Sequence, residues 1–189
     1  MNEREALLRA VCEHPDDDTP RLVFADWLDE NGEPDRAEFI RLQIAVDRTP
    51  GYPDRFGPEH RELIKRIKFD LFRGAWENDL PLPGPDAPVW KRGFIETIRC
   101  TVEAWRSACK VVFALHPVQR VEFTDIEDGA SLEVTHEPGH TYPWRLSFFR
   151  EIDEVNYRNE DRFNDRDELV AGCSSLLSTW LQGSDTLSY

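Results

Sequence analysis

The sequence predicts an α+β protein: a small N-terminal helical bundle, then a βαβ unit, an antiparallel hairpin and a C-terminal helix. Three observations carry this reading. Apolar residues recur at helical spacing through the first eighty residues, LPLPGPDAP then interrupts the chain at 80–88, and period-two patterns appear beyond it. The expected division is a helical module over 1–80, a Pro-rich linker over 81–88 and a small α/β unit with a mixed sheet over 89–189.

Each element has its own signal. Ala6, Leu7, Ala10 and Val11 share one face of a helix over 3–13, which His14-Pro15 ends. Thr19 as N-cap and Pro20 at the first helical position predict a second helix to about Glu30. It is apolar nearly all round through Leu22, Val23, Phe24, Ala25, Trp27 and Leu28, so it belongs at the centre of its module. Gly32 suits the left-handed position after its end. A third helix opens at Pro34 with Ala37, Ile40 and Ile44 inward, and a fourth over 58–79 repeats Leu63, Ile67 and Leu71.

Past the linker, Phe94–Cys100 reads as a strand. Trp105, Ala108, Cys109 and Val112 then mark a helix ending at His116-Pro117, and Val118–Phe123 reads as a second strand. Strand, helix and strand over thirty residues predict a parallel pair with a right-handed crossover. SLEVTH and TYPWRLSFF alternate as strands, EVNY is a weaker extended piece, and Leu169, Cys173, Leu176, Leu177 and Trp180 line a final helix over 165–182.

Net charge is −14 and unevenly spread. The first fifty residues hold thirteen acids against six bases, and the last thirty-nine hold nine against three. Such a chain repels nucleic acid and anionic membrane and favours a basic protein partner. The N-terminus lacks the apolar core of a signal peptide, and no apolar run nears the roughly 18 residues that span a bilayer. The four cysteines show no C-x-x-C spacing, and Cys109 and Cys173, on apolar helical positions, read as buried small hydrophobes in a reduced, cytoplasmic protein.

The run DTPRLVFADWLDENGEP, Asp18 to Pro34, continues as Arg36-Ala37-Glu38-Phe39-Ile40-Arg41-Leu42-Gln43. It resembles the repeat-companion domain, a short helical module at the N-terminus of many bacterial proteins, often ahead of leucine-rich repeats. The resemblance covers about residues 3–45. It continues more loosely through Lys91-Arg92-Gly93-Phe94-Ile95-Glu96 and Ala114–Val121, where members of the family often have a strand–helix–strand. After Phe123 the pattern departs: no L-x-x-L-x-L-x-x-N unit follows. The resemblance implies an architecture and, by analogy, protein–protein interaction; it implies no catalytic residues.

His136-Glu137-Pro138-Gly139-His140 matches the H-E-x-x-H spacing of zinc metalloproteases. Pro138 removes a helical N–H and Gly139 weakens a helix further, so the stretch reads as a hairpin with a type II turn and Gly139 at its third position. His136 and His140 on a hairpin, with Glu160 or Asp161 as third ligand, would be a metal-dependent hydrolase without the helical geometry that makes the motif diagnostic. DENGEPD fails as a calcium loop, with Pro34 where Gly and Ile40 where a bidentate Glu belong. Asp26, Asp29 and Arg41 predict an ion pair between successive helices, against an acidic binding site as the alternative. Arg61, Lys65, Arg66, Lys68 and Arg73, interspersed with Glu62 and Asp70, read as a solvated helix face rather than a nucleic-acid stripe.

Trp90, Tyr142 and Trp144 stand out as partner-binding aromatics, with the competing reading that they fill the second core. The expectation is a non-enzymatic interaction or adaptor protein without cofactor or metal, whose partner is another protein. The alternatives are an acidic neutraliser (immunity-type or nucleic-acid-mimicking) and the hydrolase using His136 and His140.

Overall fold

The computed structural model of the 189-residue chain describes residues 2–49, 65, 88–126, 130–141, 143–152 and 155–184. Apart from Lys65 and Pro88, the expected fourth helix and the Pro-rich linker lie outside these residues. The described elements are helices α1 (Glu3–Glu13), α2 (Asp18–Glu30), α3 (Pro34–Asp47), α4 (Val102–Leu115) and α5 (Arg166–Ser184). The strands are β1 (Val89–Lys91), β2 (Phe94–Cys100), β3 (Arg120–Phe123), β4 (Ala130–His136), β5 (Trp144–Ile152) and β6 (Val155–Phe163). The fold is α+β, with a six-stranded sheet in the order β1-β2-β3-β4-β5-β6. The β2–β3 pair is parallel across α4, as the βαβ pattern requires, and β3 to β6 run antiparallel. After β3 the chain therefore builds an antiparallel meander, not a parallel repeat array.

Two compact units divide the chain. The first takes α1 to α3 together with Trp90–Ile95 and Leu115–Pro117, so it draws in segments that a linear cut at residue 88 assigns elsewhere. Its helices are capped by their own sequence. Asn2 forms a capping box with Glu5 at the start of α1. α2 begins two residues earlier than Thr19 predicts: Asp17 is the N-cap and its carboxylate accepts from the Thr19 amide at 2.8 Å. At its end, Glu33 N–H donates to Leu28 O and Gly32 N–H to Asp29 O, with Gly32 at φ 84°. That is the Schellman closure, and Gly32 serves it as expected.

The core of this unit joins Val11, Phe24, Ala25, Leu28, Ala37, Ile40, Ile44 and Phe94. α2 is less enclosed than its composition suggests, for Val23 is 47% exposed. β1 and β2 are joined by a two-residue turn whose central residues, Arg92 (φ 49°) and Gly93 (φ 84°), are both left-handed, as a type I′ turn demands. Gly93 N–H donates to the Gln43 side-chain oxygen at 2.6 Å, and its carbonyl accepts from Arg36 at 2.7 Å. A side chain at 93 would meet Ile40 at 2.5 Å, so the backbone approaches α3 where only glycine fits.

The second unit holds Glu96–Ala114 and the chain from Val118. Paired residues share a sheet face. One face takes Ile98, Val121, Leu132 and Phe148 across four strands, with Val134 and Leu146 beside them, and all are buried. Trp105, Ala108, Cys109 and Val112 of α4 and Leu169, Cys173, Leu177 and Trp180 of α5 are buried too. Phe148 stacks on Trp180 at 6.0 Å. Burial pushes the Cys100 and Cys173 thiols up to about 12. All four cysteines are free and buried.

Candidate functional site

The helical unit carries charge in an unusual distribution. Of the six arginines in its first fifty residues, Arg21 is fully buried and Arg36 nearly so. Arg21 donates to the Pro15 carbonyl at 2.6 Å and lies 5.5 Å from the Phe94 ring. Arg36 lies over Phe39, Trp90 and Phe94 at 5.3, 5.0 and 5.4 Å. Guanidinium planes on ring faces lose less on leaving water than bare charges would. Arg92 of the hairpin is also buried, donating to the Pro15 carbonyl at 2.8 Å and facing Asp18 at 3.6 Å.

None of the thirteen acids in this stretch is buried. The remaining arginines are tied to acids: Arg4 to Glu33, Arg9 to Glu13, Arg41 to Asp26 and Asp29, and Arg48 to Asp18. The Arg41 pair, at 2.7 and 2.6 Å, is the bridge between α2 and α3 expected from the sequence, and hydrogen bonds to both carboxylates raise its pKa. Cations inside and acids outside give these helices a carboxylate-dominated exterior, in which Glu3, Glu30, Asp35 and Glu38 are all exposed.

The polar face of the second unit's sheet differs. Thr97, Arg120, Glu133, Ser147 and Glu160 form one row across five strands, and Arg99, Glu122, Ser131, Phe149 and Arg158 form another. Arg99 and Arg120 reach Glu122 at 2.7 and 3.0 Å, and Arg120 reaches Glu133 at 2.6 Å. Arg158 holds Glu160 at 2.7 Å and lies over Phe149 at 5.2 Å. Arginine and glutamate alternate here, so the face is close to neutral. The two arginines hold the Glu122 carboxyl below the usual carboxylate range, Arg99 foremost. Sequence reading missed this face, although Arg158, Glu160 and Arg162 at period two were its signal.

The sequence-derived candidates fall as follows. Trp90 is half-buried, with edge contacts to Phe39 at 5.6 Å and His116 at 5.8 Å and the Arg36 guanidinium beside it. It is a wall of the helical unit's core more than an exposed anchor. Trp144 is 5% exposed, its ring 4.6 Å from His136 and 5.8 Å from Arg166. It fills the second core, because its position in β5 shares the face of Leu146 and Phe148; the surface reading is corrected for this residue. Tyr142 lies outside the described residues.

The H-E-x-x-H segment is a turn. His140 N–H donates to the Glu137 carbonyl at 3.2 Å and Gly139 has φ 91°, the type II geometry expected from Pro138-Gly139. Glu137 is held by Arg162 at 2.8 Å and Arg145 at 3.2 Å. Its hydrogen bond from Arg162 keeps its carboxyl below the usual range. A carboxylate so engaged is a poor general base for a metal-bound water. Glu160 is held by Arg158, and among the described residues no three His, Cys, Asp or Glu side chains cluster as metal ligands would. No described helix is long and apolar enough to cross a membrane.

Comparison with known proteins finds no matching family model, no matching curated protein and no matching solved structure.

Proposed function

We propose that this is a non-enzymatic interaction protein that binds a basic partner protein through the acidic exterior of α1 to α3. The observation that carries this is the sorting of charge in residues 2–49, where Arg21 and Arg36 are buried and none of the thirteen acids is. With those arginines inside, carboxylates dominate the charges at the helix surfaces, and a negatively charged surface speeds encounter with a cationic partner. The resemblance to the repeat-companion module belongs to this reading. Its dense stretch, Asp18–Gln43, shares one compact unit with Lys91–Ile95 of the looser one, joined there by Gln43 and Arg36 on Gly93, while Glu96, Ala114 and Val118–Val121 belong to the other unit.

An acidic neutraliser is the special case in which the partner's own cationic site is what the acids cover. Affinity capture of the tagged protein from native lysate at low and high salt tests the proposal. The expected result is one dominant basic protein at low salt, lost at high salt. A partner retained undiminished at high salt would oppose the electrostatic reading, and empty captures at both salts would oppose a stable protein partner.

A further inference from the structure

β6 is the last strand in the sheet order, and among the described residues no strand pairs with its outer side. Nine residues long, it presents a row of backbone donors and acceptors that another strand can extend. Arg158, Asn159 and Glu160 at its middle are exposed. We infer that β6 pairs antiparallel with β6 of a second copy of this chain, about a two-fold axis through Asn159.

The register follows from geometry and charge. In such a pair the axis stands perpendicular to the sheet, opposed residues share a face, and the axis must pass through one residue. Asn159 is the midpoint of Val155–Phe163, so this axis alone uses the whole strand. An axis through Arg158 or Glu160 would set identical charges against each other, and the latter would also oppose Arg158 to Arg162. An axis through Asp161 opposes two aspartates. Through Asn159, Arg158 of each copy stands opposite Glu160 of the other, and Asn159 opposes itself with amide donor and acceptor. Tyr157 stands opposite Asp161, a hydroxyl facing a carboxylate.

Within one chain Arg158 already holds Glu160 at 2.7 Å. In the pair, two arginines and two glutamates alternate around the axis, so each exposed charge gains an opposite neighbour and no like charge faces another. Charged edge strands generally deter pairing. Here the charge order deters the registers about Arg158, Glu160 and Asp161, and among the rest the centred one pairs the whole strand. The occupant is a second copy, because the complementarity is that of the strand with itself.

The test is the solution mass of the purified 22.0 kDa chain across a concentration series, with four variants. The expected result is a dimer. Arg158→Glu, which opposes two carboxylates twice, weakens it by roughly tenfold or more, and Arg158→Glu with Glu160→Arg restores it. Asn159→Cys places two thiols across the axis with Cα atoms about 4.5–5.5 Å apart, within disulfide reach, whereas Glu160→Cys places them too far apart. Mild oxidation therefore gives a covalent dimer for the first and not the second, and the native thiols are buried and do not compete. A monomer at every concentration would overturn the inference. So would a dimer that Arg158→Glu leaves intact, or one that Asn159→Cys fails to cross-link.

Discussion

Gly93 and Gly32 separate two demands on glycine. Both have φ 84°, but a side chain at 32 meets nothing within 4 Å while one at 93 meets the Ile40 backbone and side chain. Gly32→Ala carries only the left-handed backbone cost, about 1 kcal/mol. Gly93→Ala adds an overlap that α3 must move to relieve, and should cost about 2–4 kcal/mol. Urea denaturation of the two variants checks the difference; equal losses would mean that the hairpin tip does not press on α3. Two carboxylates supply a second residue-scale expectation. Glu137 and Glu122 are both held below the usual range by arginines, so the stability they contribute is present above that range and drains as pH falls through their lowered values. Glu137→Gln should flatten the acid limb of a melting-temperature profile and leave neutral and alkaline behaviour alike in shape. The thiols give a third: with Cys100 and Cys173 at about 12, a thiol-specific reagent at pH 8 should label them only on unfolding.

At the scale of elements, legibility followed the clarity of the inward face. α1, α3, α4 and α5 announce themselves through residues that are in fact buried, such as Ile40 and Ile44, Trp105 and Val112, Leu169 and Cys173. β6 did not. Its apolar-side positions run Tyr157, Asn159, Asp161, Phe163, too polar for period-two reading, and it is a nine-residue strand because β5 supplies the pairing. β1 is three residues long and exists through its type I′ turn, whose Arg92-Gly93 lacks the Asn or Asp that usually marks one. The start of α2 was misplaced because Asp17 and Thr19 are both good caps, and only the hydrogen bond decides between them. The Asn2 capping box gives an element-scale expectation: Asn2→Ala should cost about 1 kcal/mol, read as a lower urea midpoint with an unchanged slope.

For the whole molecule, net charge was readable and its placement was not. A count of thirteen acids against six bases cannot say that Arg21 and Arg36 are inside, for the sequence gives each the same symbol as a solvated arginine. Nor could it say that glutamates 122, 133, 137 and 160 are matched by arginines on the sheet face. On the sheet face the carboxylates are matched by arginines, whereas the thirteen acids of the first fifty residues stand against four arginines that are not buried. Of the aromatic candidates, Trp144 was decided by the parity of β5 and Trp90 by its packing on Phe39, neither of which a lone tryptophan discloses.

The most direct measurement compares capture by three forms at low salt: wild type, a helical-surface reversal (Glu30→Lys with Glu38→Lys) and a sheet-face reversal (Glu133→Lys). Each substituted side chain is exposed or half-exposed, so all three forms should fold. The expected result is that the partner recovered with wild type is retained by the sheet-face form and lost by the helical-surface form. Retention by the helical-surface form, with or without loss on the sheet-face form, would contradict the assignment of the acidic helices as the binding surface.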